Sequence, residues 1–202
     1  MVSQIIRSPP DHRISPPLVV ARDGKSGKHG SPGTCYRECR KMLTLLPQRT
    51  EDIQRFRAAP WPFQQTFKAP LKDLQRFVSV FLAPFSVERG VVSTDEVVFE
   101  PRNVLQLLAK NAIVTENPYR LTIEATGSRE VADLLEAVLS DWIDFVFVPS
   151  PRSFAIYADH DEATTFYTPT RRMLKRLKSD LETAGFERVP NYLRRSSGFK
   201  WR

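Results

Sequence analysis

The chain has 202 residues, a hydrophobic fraction of 41% and a formal net charge of +7. That length holds one domain, or one domain with a tail. No apolar run reaches the ~18 residues of a membrane span, and the N-terminus lacks the charged start, apolar middle and small-residue cleavage site of a secretory signal. Two cysteines, Cys35 and Cys39, cannot staple a domain of this size. These features predict a soluble cytoplasmic protein with no membrane contact.

The charge is segregated along the chain. Residues 1–66 hold 11 Lys+Arg against 5 Asp+Glu, residues 67–170 hold 9 against 15, and residues 171–202 hold 10 against 3. Both ends are basic and the middle is acidic, which the average hides.

Residues 1–66 read as a disordered, basic, Pro/Gly-rich leader. Pro9-Pro10, Pro16-Pro17 and the glycines at 24, 27, 30 and 33 break helix and ladder alike, and the stretch is too polar to offset its ordering entropy. A short helix is predicted over 35–46. Met42 opens a more ordinary stretch, which leaves open whether residues 1–41 belong to the mature protein. Phe56, Trp61, Phe63 and Phe67 surround Pro60 and Pro62. They read as an extended arm laying its aromatics on the domain, with a partner-binding linear motif as the alternative.

Residues 67–193 read as a single α+β domain. Leu71, Leu74, Phe77, Val78, Phe81 and Leu82 share one face of a helix over 70–82, which Pro70 opens. A strand follows over 91–100, centred on Val97, Val98 and Phe99. The next helix, over 101–112, turns Val104, Leu105, Leu108 and Ala112 inward. Tyr119, Leu121, Ile123 and Ala125 alternate with polar residues, as in a half-buried strand. Ser128 is the expected N-cap of the clearest helix, with Val131, Leu134, Leu135, Val138, Leu139 and Trp142 inward and Arg129, Asp133, Glu136 and Asp141 outward.

Phe145 to Val148 reads as a central strand, paired through a Pro149–Arg152 turn with a strand over 154–158. Residues 164–167 supply a possible third strand of that meander. Thr168-Pro169 announces the last helix, whose inward residues are Met173, Leu174, Leu177 and Leu181. Gly185 is its C′ glycine. Residues 189–193 make an edge strand because of Pro190, and 194–202 form a basic tail. The expected fold is an α+β two-layer sandwich, an antiparallel sheet with helices on one face. It is either ferredoxin-like, βαββαβ, or a longer β-meander variant.

Few residues carry chemistry. Asp159, His160, Asp161 and Glu162 gather four potential ligands or acid–base groups after a strand. A metal-dependent hydrolase is the alternative they raise; a polar turn is the plainer reading. His29, Cys35 and Cys39 fit no four-ligand zinc pattern. Residues 152–157 fail the RNA-binding strand pattern of RRM domains at Ser153 and Ile156, so no family is assigned. Phosphate loops, nucleophile elbows and metalloprotease helices are missing. No cofactor is expected, and the balance leans against an enzyme. The firmest feature is electrostatic. Arg171, Arg172 and Lys175 on the last helix, with Arg194 and Arg195 in the tail, predict a small binding or regulatory module that contacts nucleic acid or an acidic protein. A protein–protein interaction module using the sheet face or Trp61 and Phe63 is the third reading.

Overall fold

The computed structural model describes residues 43–47, 56, 61–190 and 192, all within one unit, Glu38–Arg202. In chain order its elements are β1 (Leu43–Leu45), β2 (Phe63–Lys68), α1 (Leu74–Leu82), β3 (Arg89–Val97), α2 (Arg102–Lys110) and β4 (Thr122–Thr126). There follow α3 (Ser128–Ser140), β5 (Ile143–Pro149), β6 (Ala155–Ala158), β7 (Ala163–Thr168), α4 (Arg171–Thr183) and β8 (Arg188–Val189). The eight strands form one sheet in the order β1-β4-β3-β5-β6-β7-β2-β8, with every pairing antiparallel.

The α+β expectation holds, but the sheet is larger than a ferredoxin-like one. Two split β-α-β units build it. β4 and β5 flank β3 and are joined through α3; β7 and β8 flank β2 and are joined through α4. β6 links the units, so β5, β6 and β7 run as the longer meander.

Strand alternation separates two cores. Val92, Ile123, Ala125, Phe145, Phe147, Ile156 and Phe166 point to the helices and merge with Phe77, Phe81, Val131, Leu134, Leu135, Val138, Leu177 and Leu181. Phe166 is the hub, with ring centroids of Phe81 at 5.2 Å and Phe67 at 6.1 Å. On the opposite face a smaller cluster joins Val146, Ala155, Tyr157 and Tyr167 to Phe56, with Trp61 against it. Trp61 Nε1 donates to the Phe56 carbonyl at 2.8 Å. Phe56 and Trp61 therefore lie on this face of the sheet, whereas Phe63 and Phe67, expected beside them in an arm, belong to β2, with Phe67 in the helix-side core.

Several boundaries differ from the sequence expectations. One strand falls inside the span read as leader and a second begins there. Leu43–Leu45 is an edge strand on β4, where the helix over 35–46 was expected: Leu43 and Leu45 face the core at two-residue spacing while Thr44 is exposed. β2 begins at Phe63. Val98 and Phe99, the expected strand centre, lie past the end of β3 and are exposed. Thr170, not Thr168, caps α4 by accepting from Met173 N–H at 3.3 Å. Gly127 occupies the N-cap of α3, so Ser128 is already helical. Gly185 does end α4 in the left-handed region, at φ +85°, and Phe186 N–H closes on the Leu181 carbonyl at 3.0 Å.

Candidate functional site

The antiparallel order decides which charges meet. β4, β5 and β7 run in the same direction, and β3 and β6 run opposite to them. At the end where β4, β5 and β7 finish, Arg89 opens β3, Arg152 follows β5, and Arg171 and Arg172 follow β7. At the other end lie Asp95 and Glu96 late in β3, Asp144 early in β5, and 159–162 after β6. One end of the sheet is thus rich in arginine and the other in carboxylates.

At the basic end, Arg171, Arg172 and Lys175 are exposed on α4. Arg171 and Arg172 occupy its first turn, which holds no acidic residue. The first turn is the positive end of the helix dipole, where cations are disfavoured by about 0.3–1 kcal/mol each. Further along, Arg176 approaches Asp180 at 4.0 Å and Lys178 approaches Glu182 at 3.8 Å. The compensated cations of the helix are therefore Arg176 and Lys178. Among the described residues Arg171, Arg172 and Lys175 form no ion pair. Arg194 and Arg195 lie outside the described residues, as do His29, Cys35 and Cys39.

At the acidic end, the four residues of the 159–162 cluster take separate directions. Asp159 Oδ1 accepts from Asp161 N–H and Ala163 N–H, both at 3.1 Å, and Tyr192 O–H donates to Oδ2. That is the geometry of a carboxylate closing a β-turn. Burial, the largest influence, raises the Asp159 carboxyl above its ordinary range. Glu162 pairs with Lys68 at 3.2 Å and Asp161 is exposed. Among the described residues no group of three or more His, Cys, Asp or Glu side chains is placed to hold a metal ion.

His160 alone enters a network, built on a residue the sequence reading passed over. Asp144 is 6% exposed. Its Oδ1 meets His160 N–H at 2.8 Å and His160 Nδ1 at 2.9 Å, and its Oδ2 accepts from Tyr157 O–H at 3.2 Å. Tyr157 O–H is also 3.2 Å from Asp95 Oδ2. The hydrogen bond to Asp144 raises the His160 imidazole above its ordinary value, and burial opposes this. An Asp–His pair of this kind holds a ring in one orientation. Asp144 sits inside the apolar run 143–149, where alternation turns it toward the second sheet face beside Val146. The lone acid in an apolar strand was the available signal.

Residues 152–157 do not present a stacking surface. Phe154 and Ile156 are buried under the helices, and Tyr157 is buried on the opposite face. No helix among the described residues is long and apolar enough to cross a membrane. Comparison of the chain with protein-family models, with curated proteins and with solved structures finds no match.

Proposed function

We propose that this chain is a non-enzymatic binding module whose basic α4 surface contacts nucleic acid through its phosphates. The observation that carries the reading is the uncompensated trio Arg171, Arg172 and Lys175 at the first turns of α4. Two arginines at the positive pole of a helix oppose its stability. A phosphate bound there relieves both the side-chain repulsion and the dipole. Arg194 and Arg195 belong to the reading through their place in the sequence after β8.

The test is fluorescence anisotropy with labelled single-stranded and duplex oligonucleotides across a salt series. The logarithm of the affinity should fall linearly with the logarithm of salt, and replacing Arg171, Arg172 and Lys175 by glutamine should reduce that slope by about 2–3. Replacing Arg194 and Arg195 likewise measures the share of the tail. No binding at low ionic strength, or a slope the α4 variant leaves unchanged, refutes the proposal. Salt-sensitive binding to a polyglutamate but not to oligonucleotides would refute the nucleic-acid assignment and leave an acidic protein as the partner class.

A further inference from the structure

Phe63 opens β2 at the basic end of the sheet. β2 runs antiparallel to β7, and Phe63 is the register partner of Thr168, the last residue of β7. Two residues later Thr170 caps α4. Alternate side chains of a strand share a face, so Phe63 points the same way as Phe67, which lies in the helix-side core. The ring of Phe63 is therefore on the side of the sheet that α4 covers, at the end where that helix begins. Phe67 is fully buried there. Phe63 is only half-buried, and among the described residues it belongs to neither apolar cluster.

Cations start at the same place. Arg171 and Arg172 follow Thr170 directly, and Lys175 stands one turn on from Arg171, about 6 Å along the axis and on the same face. All three are exposed, and none forms an ion pair among the described residues. Such a row attracts phosphates whatever nucleic acid carries them. An aromatic ring adds a contact of another kind, with the flat face of a base. In a duplex those faces are covered by the neighbouring base pairs, and a protein meets edges and phosphates. In a single strand the bases can leave the stack and present their faces.

We propose that the α4 surface takes single-stranded nucleic acid, with phosphates on Arg171, Arg172 and Lys175 and a base stacked on Phe63. This rests on the phosphate contact proposed for α4 and adds the strandedness of the ligand. Charge alone favours the other form, because a duplex presents one phosphate per ~1.7 Å of axis and each strand one per ~3.4 Å. A preference for the single strand therefore has to come from its bases.

Fluorescence anisotropy of the full chain at low salt tests this with three labelled ligands of about 12 nucleotides: oligo(dT), an abasic strand with the same phosphates, and a duplex. Oligo(dT) should bind at least about tenfold more tightly than the other two, as one stacked base implies. Phe63→Leu, which keeps an apolar side chain and removes the ring, should bring oligo(dT) down to the abasic strand and leave the abasic affinity and its salt slope unchanged. Phe63→Tyr, which keeps the ring, should retain the preference. In the parent, the ring protons of Phe63 should shift with oligo(dT) and not with the abasic strand, a readout that needs no variant. Oligo(dT) binding no tighter than the abasic strand or the duplex overturns the base contact and leaves the phosphate reading standing. A preference that folded Phe63→Leu protein keeps, or a Phe63 ring unmoved by oligo(dT), also overturns the proposal. Failure of all three ligands to bind overturns both.

Discussion

Asp141 holds α2 in place from outside it. The helix begins after Pro101, which offers no capping side chain, and its first turn contains no acid. The missing group comes from the residue that follows α3. Asp141 Oδ1 accepts from Asn103 N–H at 3.0 Å and Asn103 Nδ2 at 2.6 Å, and Oδ2 accepts from Val104 N–H at 2.8 Å. The carboxylate thus satisfies two of the orphan donors of a helix N-terminus and lies at the positive end of the dipole. Asn103 is exposed, so its N–H regains water when the carboxylate is removed. Val104 is fully buried, and its N–H does not. Leaving that donor unsatisfied costs about 1–3 kcal/mol, and losing a cap typically costs about 1 kcal/mol. Asp141→Ala should therefore lose roughly 2–4 kcal/mol of stability in urea denaturation, whereas Asp141→Asn, which keeps one carbonyl acceptor, should lose less. Hydrogen exchange gives the local readout, because the Val104 amide should lose protection in Asp141→Ala. A loss below about 1 kcal/mol, or an unchanged Val104 amide, refutes the capping role.

Gly90→Ala should destabilise by about 1–3 kcal/mol. A Cβ at Gly90 would lie 2.3 Å from Phe147 Cε2 and 3.3 Å from Pro149 Cα, and Phe147 is fully buried and packed near Phe154, so its ring can yield only by disturbing a close-packed core. A chemical denaturation curve unshifted by this change would show that β3 can move off β5. His160 should make stability depend on pH. Its imidazole is raised above 6.5 by Asp144, so the folded state binds more protons than the unfolded one. The contribution is then complete below about pH 6.5 and disappears as pH rises through the higher folded value. His160→Gln should flatten the fall in denaturation midpoint as pH rises above 6.5; an unaltered profile would remove Asp144–His160 from the account.

What the sequence made legible was periodicity. The 3.6-residue stripe of α3 and the apolar run of β5 each name their element because burial repeats along the segment itself. Gly185 was equally readable, since a left-handed C′ position selects glycine from the local chain alone. β2 was missed because Gln65 occupies an alternating position that should carry an apolar residue, and because prolines at 60 and 62 suggested an arm. Asp141 was misread for a different reason. Counted along α3 it falls off the apolar stripe and so reads as solvent-facing. It is in fact buried, because the helix ends at Ser140 and the next residue meets α2. Asp144 and His160 are 16 residues apart and come together only when the β5–β6 hairpin forms. Partnerships of that kind are set by register, and periodicity does not encode register.

The two split β-α-β units provide an internal comparison that bears on function. α3 and α4 both cross from the finish of one strand to the start of the parallel strand one place beyond its neighbour, and both begin at the same end of the sheet. They hold corresponding places in the two units, although their N-caps differ, Gly127 at φ +112° for α3 and the extended Thr170 for α4. α3 carries Glu130 in its first turn, the arrangement the dipole favours, and its Arg129 approaches Asp133 at 3.8 Å. α4 carries Arg171 and Arg172 and no acid. Stability alone would place an acid in both first turns. The departure at α4 costs on the order of 1 kcal/mol, which the anionic partner proposed above would recover. Replacing Arg171 and Arg172 by glutamate should therefore raise the unfolding midpoint of the free protein and abolish the polyanion binding proposed above, a separation of stability from binding that a merely solvated helix face would not produce.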